Sequence, residues 1–446
     1  MFFILLIILC GIGGLIMIIS SSLSAVIKFG LAIFLMYIIS KLLGKQIRIK
    51  DEWGMLFIRG DRGLKTIETL AKNESAWKLF ADLGLTLAYG ILSVFIIKRP
   101  VKQRAIILFF GLIVMSILSF CVAPAIFPFL LGTLSGDELS ASKTMSAIPS
   151  LMMIILFYLG GFALIVLLSL LVHSVTILLA IISTIFYGTN TIGKVAPGAT
   201  LILPGINISF AEGILALIII LVVHEGAHAV LAKIARIKIL SSGVVLFGIL
   251  PIGAFVEPDE NMLRKLNNEK QNHVLIAGST ANLFTSLFVF LVFLGFLFAT
   301  IPYKETGLLV FGGNYDGSII YKINGQDAAE FLKNADDRTK YNTALTFETN
   351  KGILKTIIKQ GESTAYNLSE MFFLARFSNP GLQFIYNLLG LTFSLNFIIA
   401  LVNLLPLPFF DGYKILEINI NKKMILTTLS SITALAFLVN FLPWFI

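Results

Sequence analysis

Apolar residues in this chain fall in long unbroken runs, and polar residues gather in short clusters between them. Phe2 to Ile19 and Ala25 to Leu43 come first, followed by a polar stretch from Lys45 to Lys78 that is too charged to enter a membrane. Runs at about 79–97 and 105–131 come next, separated by Lys98, Arg99, Lys102 and Arg104. About 20 apolar residues cross a bilayer as a helix, whereas a transmembrane β-barrel would show short alternating segments. The pattern predicts an α-helical polytopic membrane protein. It also contains a conflict. Both loops flanking the 79–97 run are basic, and basic loops stay in the cytoplasm, so that run is re-entrant or one loop breaks the rule.

From Ala147 to Tyr187 there is no Lys, Arg, Asp or Glu. One helix of that length would span roughly 60 Å against a bilayer core of about 30 Å, so the segment is either two helices or one with a protruding end. A further apolar helix is expected over about 211–233, ending in Lys233, Arg236 and Lys238. Ser242 to Val256 is β-branched, rich in Gly and broken by Pro251, and reads as a hairpin. Another helix is expected at about 273–301, and two more at about 383–406 and 424–445. Between them, residues 303–380 carry many charges and short alternating runs such as Gly317 to Gly325, which mark a small soluble insertion.

Composition agrees: 57% of residues are hydrophobic and 13% charged, with a mean hydropathy of +0.92. A soluble enzyme and a disordered tail are excluded. The net charge of +9 is no nucleic-acid footprint, because the 34 Lys and Arg lie scattered at the ends of apolar segments, where headgroups and the cytoplasmic face attract them. Cys10 and Cys121 sit in separate apolar runs and are expected as small buried residues, offering neither a disulfide framework nor a cysteine metal cluster. No basic residue precedes the first apolar run, so it is expected to remain as an anchor. His173, alone in an apolar helix, is expected to be a packing residue.

The chemistry concentrates in Val223-His224-Glu225-Gly226-Ala227-His228-Ala229. His224 and His228, one turn apart, differ in direction by about 40° and in height by about 6 Å, so both imidazoles can reach one tetrahedral zinc. Glu225 shares that side and is placed to take a proton from a water that the metal activates. Catalytic zinc typically takes three protein ligands. Asp82, Glu212 and Asp411 are the candidate carboxylates within or bordering apolar segments. Asp411 follows two prolines, Pro406 and Pro408, and precedes Gly412. A backbone broken at membrane depth is tolerated only where it lines a protein-enclosed or watery cavity.

These residues together resemble the site-2 protease family of intramembrane zinc metalloproteases. The resemblance rests on His224-Glu225-x-x-His228, on the N-x-x-P-x-P-x-x-D-G stretch from Asn403 to Gly412, and on Ala277-Gly278-Ser279-Thr280-Ala281-Asn282. Leu250 to Val256 is similar to the family's membrane-associated β-hairpin, and 303–380 sits where many relatives carry a PDZ-like domain. Trp53 to Gly90 vaguely resembles the archaeal branch. The resemblance implies that His224, His228 and Asp411 bind one Zn2+, that Glu225 is the general base, and that Asn282 and Asn403 position the substrate strand or stabilise the oxyanion. Gly253, Ala254 and Phe255 are expected to align the substrate as an added strand. Ser279, where relatives commonly have Pro, and Ala254, where a second Gly is frequent, are departures that touch substrate positioning rather than ligation.

The expected fold is a transmembrane zinc metalloprotease core with a β-hairpin and a small α+β, PDZ-like insertion. Its expected division is 1–194 for the N-terminal helices with a basic loop at about 44–78, 195–302 and 381–446 for the two parts of the core, and 303–380 for the insertion. The expected function is hydrolysis of a peptide bond within or near a transmembrane segment of another protein, in the multi-pass cell membrane setting of a prokaryote. Expected partners are transmembrane substrates and the lipid bilayer, with no nucleic acid. Two rivals share the motif: a membrane zinc transporter or metal-binding protein using the same ligands without hydrolysis, and a prenyl-protein-type protease, which takes a downstream Glu as third ligand.

Overall fold

The computed structural model describes residues 2–23, 25–47, 49, 54–60, 64–126, 150–188, 191–192, 195, 197–200, 202, 204–205, 207–311, 318–334, 344–350, 352–357 and 367–445. Arg48, Lys50 and Arg62 of the polar stretch, the end of the 105–131 run and the start of the 147–187 run lie outside them. The chain begins with helices α1 (Phe2–Ser20) and α2 (Ala25–Ile47), strand β1 (Met55–Arg59) and helices α3 (Leu64–Leu70), α4 (Glu74–Tyr89) and α5 (Val101–Ile117). Then come α6 (Ser150–Tyr187), α7 (Phe210–Ile234), β2 (Ile239–Phe247), β3 (Leu250–Pro258), α8 (Glu260–Arg264) and α9 (Asn268–Ala299). The insertion follows with β4 (Lys304–Phe311), β5 (Ile319–Ile323), β6 (Gln326–Asp327), α10 (Ala328–Asn334), β7 (Ala344–Thr349), β8 (Gly352–Ile357) and β9 (Asn367–Phe377). Helices α11 (Pro380–Asn403), α12 (Asp411–Asn419) and α13 (Lys423–Val439) complete the fold. Among the described residues, eight helical segments are long and apolar enough to cross a bilayer. The protein is an integral, multi-pass membrane protein.

One of those eight segments, 74–95, doubles back instead of crossing. Ser93 Oγ meets Thr86 Oγ1 at 3.4 Å although the two are seven residues apart, a separation of about 10 Å along a continuing helix. Arg99 Nε reaches Asp82 Oδ2 at 2.8 Å. The reversal occurs at Gly90, whose φ of 55° ends α4 and starts a 3-10 turn over Gly90–Phe95. A re-entrant run puts both of its basic loops on one side, which removes the conflict with the positive-inside rule. Three of the four basic residues in the second loop also bond to the fold directly: Lys98 donates to the Phe95 carbonyl at 3.3 Å, Arg104 to the Val94 carbonyl at 3.2 Å, and Arg99 pairs with Asp82.

The long apolar segment over 150–187 is two helices joined at Gly161, where φ is 62°. Gly161 and Gly90 lie against each other: a side chain on either would collide with the other's backbone, with Ala88 on one side and Tyr158 on the other. This close crossing seats the tip of the re-entrant hairpin. Small residues also let α4 approach its other neighbours. Gly84 packs on Thr280 of α9, and Gly111 of α5 packs on Thr86.

The expected β-hairpin is present as β2 and β3, turning at Gly248 with φ 65°. A third strand, β1, comes from the N-terminal polar stretch and pairs antiparallel with β2 from Met55↔Phe247 to Arg59↔Gly243. The order β1-β2-β3 leaves the far edge of β3 without a strand among the described residues. The same stretch supplies α3, whose Ile67 packs on Ala229 and Val230 of α7. In the insertion, a six-stranded antiparallel sheet has the order β8-β7-β5-β4-β9, with β6 on β5. Its first and last strands pair at the base, Lys304↔Phe377, so the end of α9 is tied to the start of α11. Cys10 and Cys121 are exposed on the outer surfaces of their helices, contrary to the expectation of burial. A thiol is apolar enough to face acyl chains, so membrane depth does not require it to point inward.

Candidate metal centre

Helix α7 carries His224, Glu225 and His228, and α12 opens with Asp411. Their ligand atoms converge: His224 Nε2 and His228 Nε2 are 3.2 Å apart, and Asp411 Oδ2 is 3.4 Å from the first and 3.2 Å from the second. A tetrahedral zinc with Zn–N of about 2.0–2.1 Å separates its ligand atoms by about 3.3–3.4 Å. The triangle has that size, and its two imidazoles and one carboxylate are the donor types such an ion takes. Among the described residues this is the group of His, Cys, Asp and Glu side chains that could hold a metal. Of the other two candidate carboxylates, Glu212 accepts from Asn387 Nδ2 at 3.2 Å. Asp82 is held by Arg99 and by His273 Nε2 at 2.7 Å.

Helix α9 supports the triangle with one stripe of residues at four-residue spacing, Val274, Gly278 and Asn282. The Val274 carbonyl accepts from His228 Nδ1 at 2.7 Å, which fixes the tautomer that leaves Nε2 free to ligate. Gly278 lies under both imidazoles, and a Cβ there would strike His224 and His228. Asn282, fully buried, faces His224 Nδ1 at 3.1 Å through its amide nitrogen, while its Oδ1 stays buried without a partner. Turning the amide over places Oδ1 on the Nδ1 proton and leaves Nε2 to the metal, with the amide nitrogen then in the position that has no partner among the described residues. Asn282 thus contacts His224 directly.

Asp411 is aimed by the broken stretch before it. Helix α11 ends at Asn403, and residues 404–410 make successive turns, Leu407 N–H to Leu405 at 2.8 Å and Phe410 N–H to Leu407 at 2.9 Å. Gly412 packs on the backbone of Leu404, where no side chain fits. Asn403 is half-buried beside this stretch. Glu225 Oε2 accepts the backbone N–H of Val256 at 3.3 Å. Because the Asp259 N–H points the other way, to Lys238 at the β2 end, the alternation along β3 turns the backbone groups of Ala254 and Val256 toward its open edge. Glu225 thus faces that edge. Phe255 is half-buried with its ring 5.6 Å from Phe57 of β1, edge-on. Gly253 and Ala254 lie within β3, but side-chain surroundings of 251–254 fall outside the description.

A H-E-x-x-H helix within a multi-pass membrane protein, its metal triangle closed by a carboxylate from a broken helix, defines a membrane metallopeptidase. The sequence model of peptidase family M50 matches residues 212–442. That covers more than half of the chain, which belongs to this family, the site-2 protease family. The chain is also 30% identical over 247 residues to an uncharacterized protein of Methanocaldococcus jannaschii, across 51% of this chain and 62% of the relative. The alignment therefore spans less than two thirds of that relative's length.

The sequence did not single out Val274, His273 or the strand β1. His273 and Asp82 are 191 residues apart, so their pairing leaves no local pattern. The excess of buried polar residues at the start of α9, from Asn272 to Asn282, was the available signal.

Proposed function

We propose that the protein is an intramembrane zinc endopeptidase that cleaves a peptide bond within or near a transmembrane segment of another membrane protein. The observation that carries this reading is the metal triangle of His224, His228 and Asp411, set among helices long enough to cross a membrane, with Glu225 beside it at the edge of β3. Zinc held there supplies a Lewis acid and lowers the pKa of water toward neutrality. Glu225 takes the proton of the attacking water as it adds to the carbonyl carbon. It returns that proton to the amine nitrogen as the C–N bond breaks. A helical substrate shields its peptide bonds, so it must unwind first, and pairing with the open edge at Ala254 satisfies the freed backbone groups. Val274 and Asn282 hold the two imidazoles in the ligating tautomer. The insertion is read as PDZ-like, a receiver of peptide segments outside the membrane, and the setting as a prokaryotic cell membrane.

The test pairs zinc content with cleavage of a single-span test substrate, for wild type and Glu225→Gln in detergent or bilayer. About one zinc in each, with cleavage only by the wild type, is the expected result. Zinc in both with cleavage by neither would favour metal transport, and a flux assay would then decide.

A further inference from the structure

Three consecutive residues near the start of α9 fasten three different elements. The Val274 carbonyl orients His228 of α7, His273 pairs with Asp82 of α4, and Asn272 meets Asn419 of α12. The first contact supports a metal ligand and the second seats the re-entrant hairpin. The third supports neither, yet it is the most exacting of the three. Asn272 is 1% exposed and exchanges two hydrogen bonds with Asn419. Its Nδ2 donates to Asn419 Oδ1 at 3.3 Å, and Asn419 Nδ2 donates to Asn272 Oδ1 at 2.9 Å.

Asp411 opens α12 and Asn419 closes it. The nine-residue helix is a short rod, and the ligand and the amide stand about 12 Å apart along it. Irregular chain borders it on both sides: the turns of 404–410 precede it, and residues 420–422 separate it from α13. The place of the carboxylate therefore depends on how the rod is docked. At the ligand end Gly412 rests on the Leu404 backbone, and in the middle Ile415 is fully buried. Apolar contact is non-directional and tolerates small slides and rotations. A reciprocal amide pair does not, because both of its bonds form in one register and one rotation only.

Resting on the zinc site of the proposed peptidase, we propose that Asn272 and Asn419 are positioning residues for the metal centre. Their amide pair fixes the register of α12 on α9 and so holds the Asp411 carboxylate at ligand distance from His224 and His228. One turn of α9 then serves as the common reference for ligands that arrive on separate helices: Val274 for the His228 imidazole, and Asn272 for the carboxylate.

The experiment reads metal binding rather than cleavage, on the full chain in detergent. Zinc affinity by chelator competition, the visible spectrum of the cobalt-substituted protein and the thermal midpoint of the metal-free protein are measured. The proteins are wild type, the double variant Asn272→Leu/Asn419→Leu, Asp411→Ala, and all three substitutions together. Replacing both amides strands neither partner, so the metal-free midpoint should stay near that of the wild type. Zinc affinity should fall about 10- to 100-fold, the usual cost of losing a support around metal ligands, and the cobalt spectrum should change. Without Asp411 the two leucines should cost less than about twofold more, because the pair acts through a carboxylate already removed. Asn419→Ser keeps a bond to the Ile415 carbonyl but is too short to meet Asn272. It should show the same spectral change, and it carries the test if the double variant does not fold. Wild-type affinity and spectrum in the folded pair variants would overturn the proposal, as would a loss that persists in full without Asp411. If Asp411→Ala itself leaves zinc affinity unchanged, the metal reading falls and this proposal with it, a result distinct from either of those.

Discussion

The helical hairpin of residues 74–99 and the β-hairpin of 239–258 both turn back within the membrane protein's core region, yet only the second leaves a backbone edge open. The helical hairpin closes its own peptide groups, as when Gly90 N–H returns to Thr86. It can therefore present side chains only: Asp82 to His273, and Tyr89 at the tip. The β-hairpin offers peptide groups, and its open edge faces Glu225. A site that must hold an unwound strand in an apolar setting needs both kinds of surface. One is inert toward backbone, and the other is ready to pair with it.

The strongest way to break this contrast is to remove the charge that fastens the helical hairpin. Asp82 is 1% exposed and pairs with Arg99 and His273, which precedes the Val274 carbonyl that orients His228. Asp82→Ala should destabilise the protein by about 3–5 kcal/mol, because Arg99 loses its buried carboxylate and His273 its hydrogen-bond partner. Zinc affinity should fall with it. Thermal unfolding and metal titration measure both, and a protein of wild-type stability would show that the pair does not hold the hairpin.

A smaller and more selective effect is expected on the open edge. Ala254→Pro removes an N–H that faces away from β2, so the hairpin ladder and the zinc should survive while kcat/KM for membrane substrates drops about 10- to 100-fold, on the order of one lost backbone hydrogen bond in an apolar site. Phe255→Pro strikes the inward side, where Phe255 opposes Gly243, and should loosen the hairpin itself. Equal kinetics for the two variants would mean that the edge does not receive substrate.

The smallest effect belongs to the insertion, which contributes to neither hairpin and serves as their control. Burial pushes the Tyr321 hydroxyl up to about 12, against a partial lowering by Arg376, whose guanidinium lies 5.6 Å from the ring centroid. A raised pKa in the folded state gives stability that is complete below about pH 10. It is lost as pH rises through about 12. Tyr321→Phe should flatten that alkaline loss in an unfolding series and leave proteolysis at neutral pH unchanged.

The two hairpins also differ in how far the sequence disclosed them. Ser242 to Val256 shows β-branched residues and a Gly at the turn, which are local signals, and the fold follows them. The helical hairpin showed only a contradiction between basic loops, because its reversal depends on Gly90 meeting Gly161 far along the chain. Strand β1 went unseen because Met55–Arg59 is short and lies among charges, and its partner is β2. His224 and His228 were legible from their spacing on one helix, whereas Asp411 stood among three candidate carboxylates until the family resemblance singled it out. The supports around them were not legible, since Val274 acts through its carbonyl, which every residue type has.

Gly278 and Gly412 each stand where a single methyl group has no room, one beneath the imidazoles and the other on the Leu404 backbone. Relatives can therefore be sorted by inspection. A chain that keeps H-E-x-x-H and the aspartate but carries alanine at either glycine must displace the imidazoles or the Leu404 turn to hold it.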